Sequence, residues 1–191
     1  GILKVMDSFL NDVQPKYTLL GRKDAQQFFI VSTKLQKKHE GVQFVACPIV
    51  REENGLALSS RNSLLSTQGK EDARCFSHTL SKIADEKNLI TFFNQSVLEE
   101  KFYSQGFKGV NLDYIRFVDA SSFDSPIQSD LEYSNLFETT KEFYILIAGE
   151  VEGVRLIDNM FIYHEGNESF SFDLGIRKEK HLLGDHDLLK G

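Results

Sequence analysis

The first fifty residues set helix against strand twice over, and few folds accept that order. Ile2, Leu3, Val5, Met6, Phe9, Leu10 and Val13 recur at steps of three and four, the spacing that lines them along one side of an amphipathic helix. No Ser, Thr, Asp or Asn precedes the pattern to accept its first free N–H groups, which is expected of a chain cut inside a larger domain. Pro15 closes the helix. Residues 17–20, ending at Gly21, read as a short strand. Asp24 stands where it can cap a second helix carrying Phe28, Val31 and Leu35 inward, and residues 42–47 form the next strand. Helix and strand in alternation are the repeating unit of a parallel sheet, yet two strands make no stable sheet alone.

After residue 48 the pattern breaks into a polar loop, 48–62, containing the turn signal Asn54-Gly55. Ser66 or Thr67 can cap a helix running to about Lys87, and a further helical stretch over 90–105 stops at Gly106. Three strands follow, over 112–118, 143–148 and 154–161, with 149–153 as a hairpin loop between the last two. In the first of them Leu112, Tyr114 and Arg116 face one side and Asp113, Ile115 and Phe117 the other. The expectation is a second, α+β unit with helices and a three-stranded antiparallel sheet. Residues 121–140, rich in Ser and Asp, read as a mobile connection. From His164 onward the pattern assigns no element, although 170–172 suits a short strand and 176–181 a helical turn. Removing residues 165–191 is accordingly expected to leave thermal stability nearly unchanged.

Charge narrows the choice of ligand. The chain carries a net −6, but residues 1–50 hold seven Lys and Arg against four Asp and Glu, whereas the rest hold fifteen against twenty-four. An acidic whole argues against nucleic acid, and a basic first quarter suits a small anion held locally. No apolar run approaches the roughly 20 residues of a membrane span, and the first residues lack the features of a secretory signal. Cys47 and Cys75 stand far apart without a C-x-x-C spacing, which fits a reduced, cytoplasmic compartment. Clustered His181, Asp185, His186 and Asp187 are read as no metal site, and Arg155 and Asp158 as a strand-end ion pair.

Two clusters carry chemistry. Gly21-Arg22-Lys23-Asp24-Ala25-Gln26-Gln27 lies where a parallel strand hands over to a helix, the place where open α/β sheets bind ligands. Gly21 allows close backbone approach, Lys23 supplies a point charge for phosphate, and the helix start directs free N–H groups at an anion. Alone, the cluster reads more readily as a glycine-ended strand followed by solvated Arg22 and Lys23. The second cluster runs from Arg51 to Asn62 and adds Ser59, Ser60 and Arg61 on a glycine-containing loop, donors suited to a polyphosphate. Alone, it is equally a polar linker with Ser59-Ser60 as turn residues.

Taken together, and with Val13-Gln14-Pro15 before them and Leu112-Asp113-Tyr114-Ile115 and the segment Val154 to Asn159 after, these clusters resemble the pantothenate synthetase (pantoate–β-alanine ligase) family in order and spacing. The family carries Gly-Glu-Lys-Asp-aromatic-Gln-Gln and then Pro-x-x-Arg-Glu-x-x-Gly-Leu-Ala-x-Ser-Ser-Arg-Asn. The likeness covers residues 1 to about 162. Arg22 stands where the family usually has Glu, Ala25 replaces an aromatic, and Leu58 takes a place often held by Met. The family's early His-x-Gly-His segment has no counterpart, for His164-Glu165-Gly166-Asn167 lacks the second His and comes too late in the chain.

The resemblance implies residues 1–50 as the C-terminal part of a Rossmann-like ATP-binding domain, 51–162 as a lid domain, and 163–191 as a tail of unknown role. It implies ligation of pantoate with β-alanine through a pantoyl adenylate, with ATP and Mg²⁺ as cofactors and AMP and pyrophosphate released. Lys23 and Arg61 inherit the catalytic positions, meeting phosphate charge. Gly21, Arg22, Lys23, Asp24, Val50, Leu58, Ser59, Ser60 and Arg61 inherit ATP-binding positions, with Gly21 and Asp24 near the ribose and Val50 and Leu58 near adenine. Gln27 inherits the hydrogen bond to pantoate. A homodimer would be built mostly by the absent N-terminal domain, and the 191 residues are expected to be incomplete and inactive alone. Two rival readings stay open: a non-catalytic nucleotide- or partner-binding lid module, and another adenylate-forming ligase of the same superfamily.

Overall fold

The computed structural model describes residues 1–86, 94–124, 141–166 and 169–177. Helix α1 (Ile2–Val13) begins without a side-chain cap and ends where Gln14 turns left-handed, at φ 48°, just before Pro15. Strand β1 (Tyr17–Gly21) pairs in parallel with β2 (Gln43–Cys47), Tyr17 opposite Gln43 and Gly21 opposite Cys47. Between them a 3₁₀ turn (Arg22–Asp24) leads into the crossover helix α2 (Ala25–Gln36). Asp24 occupies the cap position but its side chain makes no capping hydrogen bond. Both helices cover one face of the strands, where Leu10, Val31, Leu35 and Val42 are buried with Leu3, Met6, Leu20 and Phe44 packed against them. The opposite face carries Tyr17, Leu19 and Val45, and Leu19 is 65% exposed.

The second unit holds helices α3 (Thr67–Ala84) and α4 (Gln95–Tyr103), after a short strand β3 (Val50–Arg51) and a 3₁₀ turn (Ser60–Leu64). Ser66 caps α3, its Oγ accepting from Gly69 N at 3.0 Å, and Asn94 caps α4 through Ser96 N at 2.9 Å. Residues 90–93 of the expected second helix lie outside the described residues. The sheet has four strands, not three, in the order β4 (Val110–Asp119), β5 (Glu142–Val151), β6 (Val154–Gly166), β7 (Ser169–Asp173), all antiparallel.

Three further readings change. The five-residue hairpin loop shrinks to Glu152-Gly153, because Val151 already pairs with Val154; both turn residues have positive φ, 51° and 77°, as two-residue hairpins of the I′ kind require. In β4 the register slips between Leu112 and Tyr114, so Leu112 and Val110 pack on the same core as Ile115 and Phe117. A bulge of this kind adds one residue and reverses the alternation, which a strict period of two cannot anticipate. Residues 125–140, within the expected connection, lie outside the described residues, while 121–124 fold back on the Asp119 carboxylate, which accepts from Ser121 N and Ser122 N.

The third change concerns the tail. Residues 169–173 add the fourth strand, Phe170, Phe172 and Leu174 pack against the core, and strand β8 (Ile176–Arg177) pairs in parallel with β3, so 176–177 are extended rather than helical. Alternating Phe170-Ser171-Phe172 is too short a run to stand out, but the rim of β6 gives it a ladder to join. The packing corrects the premise that nothing after residue 164 joins the core, and with it the reason to expect stability to be indifferent to removing residues 165–191.

The sheet separates two layers. Phe143, Ile145, Ile147, Leu156, Met160 and Ile162 face α3 and α4 across the main core. Their neighbours in the alternation, Tyr144 and Phe161, pack instead with Ala25 at the start of α2. That second face joins the four-stranded sheet to the first fifty residues, and the candidate site lies along the junction.

Candidate functional site

Because β1 and β2 are in register to their last residues, the segments that follow them start from the same edge. The 3₁₀ turn Arg22–Asp24 leaves β1, and Pro48-Ile49-β3 leaves β2. Beyond β3 the chain doubles back: Gly55, at φ 94°, makes the turn, Glu52 N donates to Leu56 O at 2.8 Å, and Leu58 N donates to Val50 O at 2.9 Å. Val50 and Leu58 thereby become neighbours, both exposed. Asn62, buried, donates through Nδ2 to Ala57 O and Glu52 Oε1, and Ser59 Oγ accepts from Arg61 N at 3.2 Å, which together fix the turn carrying Ser60 and Arg61.

Strand β6 ties both clusters down. Arg51 and Asp158 form a buried, two-pronged ion pair, Nη1 to Oδ2 at 2.6 Å and Nη2 to Oδ1 at 2.8 Å. Asn159 Nδ2 donates to both Arg22 O and Lys23 O at 2.9 Å. Sequence reasoning missed these three residues and gave Asp158 the wrong partner: Arg155 bonds Asp113 instead, at 2.7 Å. A usable signal existed, since an aspartate inside an apolar strand must find a cation, and Arg51 opens the neighbouring loop. Asn159 Oδ1 is buried without a hydrogen-bond partner among the described residues.

Lys23, Asp24 and Gln27 line a cavity of about 330 Å³ with Asp158, Asn159 and Arg155. Burial lowers the Lys23 pKa below the ordinary value; Asp158 and Asp24 oppose that shift, and Arg61 and Arg51 add to it. Arg61 does not line this cavity, but its Nη1 donates at 3.1 Å to the carbonyl of Arg155, which does. The two residues thus stand within each other's field, although one follows β1 and the other closes the loop after β3. Gly21 ends β1 with free space on its side-chain side: nothing lies within 4 Å of where a Cβ would be.

Arg22 is the member of the set that the structure turns away. Its guanidinium pairs with Asp173 and lies over the Phe161 ring, 4.7 Å from the centroid, in a separate aromatic cavity of about 360 Å³. Only its carbonyl faces Asn159. Among the described residues no group of three or more His, Cys, Asp or Glu is placed to hold a metal, and no helix is long and apolar enough to cross a membrane.

Fold and cleft together define an α/β protein with cations gathered at the carboxyl end of its parallel strands, under an antiparallel sheet. The family model described as Pantoate-beta-alanine ligase matches residues 1–161. Pantothenate synthetase from Cytophaga hutchinsonii is 33% identical over 164 residues, covering 85% of this chain and 55% of the relative. The one from Campylobacter hominis is 34% identical over 163 residues, with the same two coverages. Among solved structures, pantothenate synthetase from Thermus thermophilus aligns with a TM-score of 0.67 at 25% identity over 83% of this chain and 54% of that one. Pantoate-beta-alanine ligase from Francisella tularensis, complexed with Beta-gamma ATP and Beta-alanine, aligns with a TM-score of 0.57 at 26% identity, over 88% and 51%. This chain belongs to the pantoate–β-alanine ligase family. It spans about half the length of the curated relatives it matches.

Proposed function

We propose that these residues supply one half of a pantoate–β-alanine ligase site. In this reading a pantoate carboxylate oxygen attacks the α-phosphorus of ATP and pyrophosphate leaves. The β-alanine amine then attacks the acyl carbon, loses a proton and displaces AMP. Residues 1–50 belong to a Rossmann-like nucleotide domain and 51–162 to a lid. The observation that supports the reading is that the charges of Lys23 and Arg61 act on each other, Lys23 in the cavity wall and Arg61 bonded to the carbonyl of Arg155 in that wall, since charge building on a polyphosphate is stabilised best by cations already fixed in place.

Val50 and Leu58, side by side and exposed, offer an apolar flank for adenine. Open space beside Gly21 suits a ribose, with Asp24 next to it, and Gln27 on the cavity wall is placed to bond pantoate. Ser59 and Ser60 add donors on the turn that holds Arg61. Arg22 contributes no charge to the phosphates here, because Asp173 holds it elsewhere. Mg²⁺, where ATP brings it, would be held mainly by phosphate oxygens with one or two carboxylates, as in other nucleotide sites. The bare outer face of β1 and β2, with Ile2, Val5, Phe9 and Val13 exposed on α1, is where the rest of a parallel domain would pack.

A direct test joins this chain to the N-terminal half of the Cytophaga hutchinsonii synthetase and measures AMP release with ATP, pantoate and β-alanine. AMP release dependent on both substrates, with the 191 residues alone at least about 10²-fold slower, is expected. Nucleotide binding without pantoate-dependent AMP release in the joined protein would favour the binding-module reading; release with a different acid and amine would favour another ligase.

A further inference from the structure

The loop that carries Val50 and Leu58 has a second side, and there a cavity of about 240 Å³ opens between Asn54-Gly55, α3 and the C-terminal segment. Arg74, Ser77, His78 and Ser81 reach it from α3, at steps of three and four that place them on one stripe of the helix. Arg177 reaches it from β8. No Asp or Glu among the described residues lines it, in a chain whose net charge is −6. Arg51, in its wall, is committed to Asp158. Among the described residues Arg74 pairs with Glu71 alone, at 2.5 Å and exposed, a kind of pair that holds weakly against solvent. Arg177 is exposed and has no ion-pair partner among the described residues.

We propose that this cavity binds a small phosphate-bearing anion, at a site separate from the Lys23–Arg61 cleft. Guanidinium forks, hydroxyls and an imidazole are the donors that match phosphate oxygens. The volume falls below the roughly 300 Å³ at which ligand pockets usually begin, which suits a phosphate with a short carbon body better than a whole nucleotide. Phe107 and Leu174 supply an apolar wall for such a body. Leu174, Gly175 and Arg177 lie beyond residue 161, where the family match ends, so the segment outside that match builds one wall of the site. The site also touches the cleft's own framework. Gly55 O accepts from Arg51 Nη1 at 3.1 Å, Arg51 holds Asp158, and Asp158 acts on the charge of Lys23.

The test is calorimetric titration of the full chain with inorganic phosphate and, separately, glycerol 3-phosphate, against sodium acetate at matched ionic strength. Saturable binding is expected for the phosphates alone. Arg74→Ala and Arg177→Ala should each weaken it at least about fivefold, and Ser81→Asp, which places a carboxylate in the cavity, should abolish it. Tighter binding of glycerol 3-phosphate would support a phosphorylated metabolite as occupant, and equal binding would support free phosphate. A Lys23→Ala/Arg61→Ala double variant should bind within about twofold of the unaltered chain. Circular dichroism establishes that each variant folds. No saturation below concentrations on the order of 10 mM would overturn the proposal. So would binding that disappears in the Lys23→Ala/Arg61→Ala variant and survives Arg74→Ala/Arg177→Ala, since the anion would then occupy the ATP cleft.

Discussion

Burial keeps the Lys23 ammonium short of its full solvation, and its pKa falls below the ordinary 10.5. Between the lowered value and 10.5 the unfolded chain binds more protons than the folded one, so this residue makes stability rise with pH through that window. A bound polyphosphate reverses the balance, because an adjacent anion favours the charged amine. Lysines carrying ¹³C-methyl labels would report this by NMR: the Lys23 signal should titrate below those of exposed lysines and move upward when ATP is added. A signal indifferent to ATP would detach Lys23 from the nucleotide. Asp158→Ala should deepen the initial depression and also destabilise the chain by roughly 3–5 kcal/mol, since Arg51 would be left buried without its anion. Lys23 and Arg61 came forward only through the order and spacing of both clusters together, since a glycine-ended strand with solvated cations, or a polar turn, explains either one alone. The Arg51–Asp158 pair was not, because its members lie 107 positions apart and Arg155 stands three residues from Asp158.

Elements with a long, regular apolar period were readable, and those that depend on a neighbour were not. Helix α1 was set by seven apolar residues at helical steps, and α3 by a serine that caps it. Strand β7 has two phenylalanines and needs the edge of β6 to exist at all; the bulge in β4 needs β5 opposite it. Deleting residues 167–191 should therefore lower the melting temperature by about 5 °C or more, on the scale where 1 kcal/mol shifts a domain this size by roughly 2–4 °C. An unchanged melting curve would mean that Phe170 and Phe172 contribute nothing to the core. The hairpin tip offers a second check. Glu152 accepts from Ser66 N at 2.8 Å and from Ser66 Oγ at 2.5 Å, and these bonds hold its pKa below 4.5. Its contribution is present above 4.5 and disappears as pH falls through the lowered value. Glu152→Gln should thus flatten the acid limb of a stability–pH curve below about 4.5 and leave its slope near neutrality unchanged; an identical acid limb would show that the tip does not fasten α3.

At the scale of the molecule the arrangement is two layers fastened along one seam, with a lysine on one side and an arginine on the other. Asn159 grips the carbonyls of Arg22 and Lys23, and Arg61 rests on the backbone of Arg155, so strand β6 sets the distance between the two cations. The sequence made both clusters and the strand over 154–161 visible, but not that this strand joins them, because nothing local in Val154 to Asn159 says which backbone carbonyls Asn159 and Arg155 will meet. If that seam is a phosphate clamp, the effects of Lys23 and Arg61 depend on each other. In a protein completed with a relative's N-terminal half, Lys23→Ala, Arg61→Ala and the double variant form a cycle that can be read in ATP affinity and in single-turnover adenylate formation. Residues acting on one ligand couple by roughly 0.5–3 kcal/mol, while independent sites add to within about 0.5 kcal/mol. Arg61 is exposed and held by a single backbone bond, so its contribution should grow as charge develops and fall mainly on adenylate formation. Lys23, half-buried in the cavity wall, should weigh on ATP affinity as well. Strict additivity in both readouts would mean that the two cations serve different ligands and that β6 is a structural seam without a phosphate between its sides.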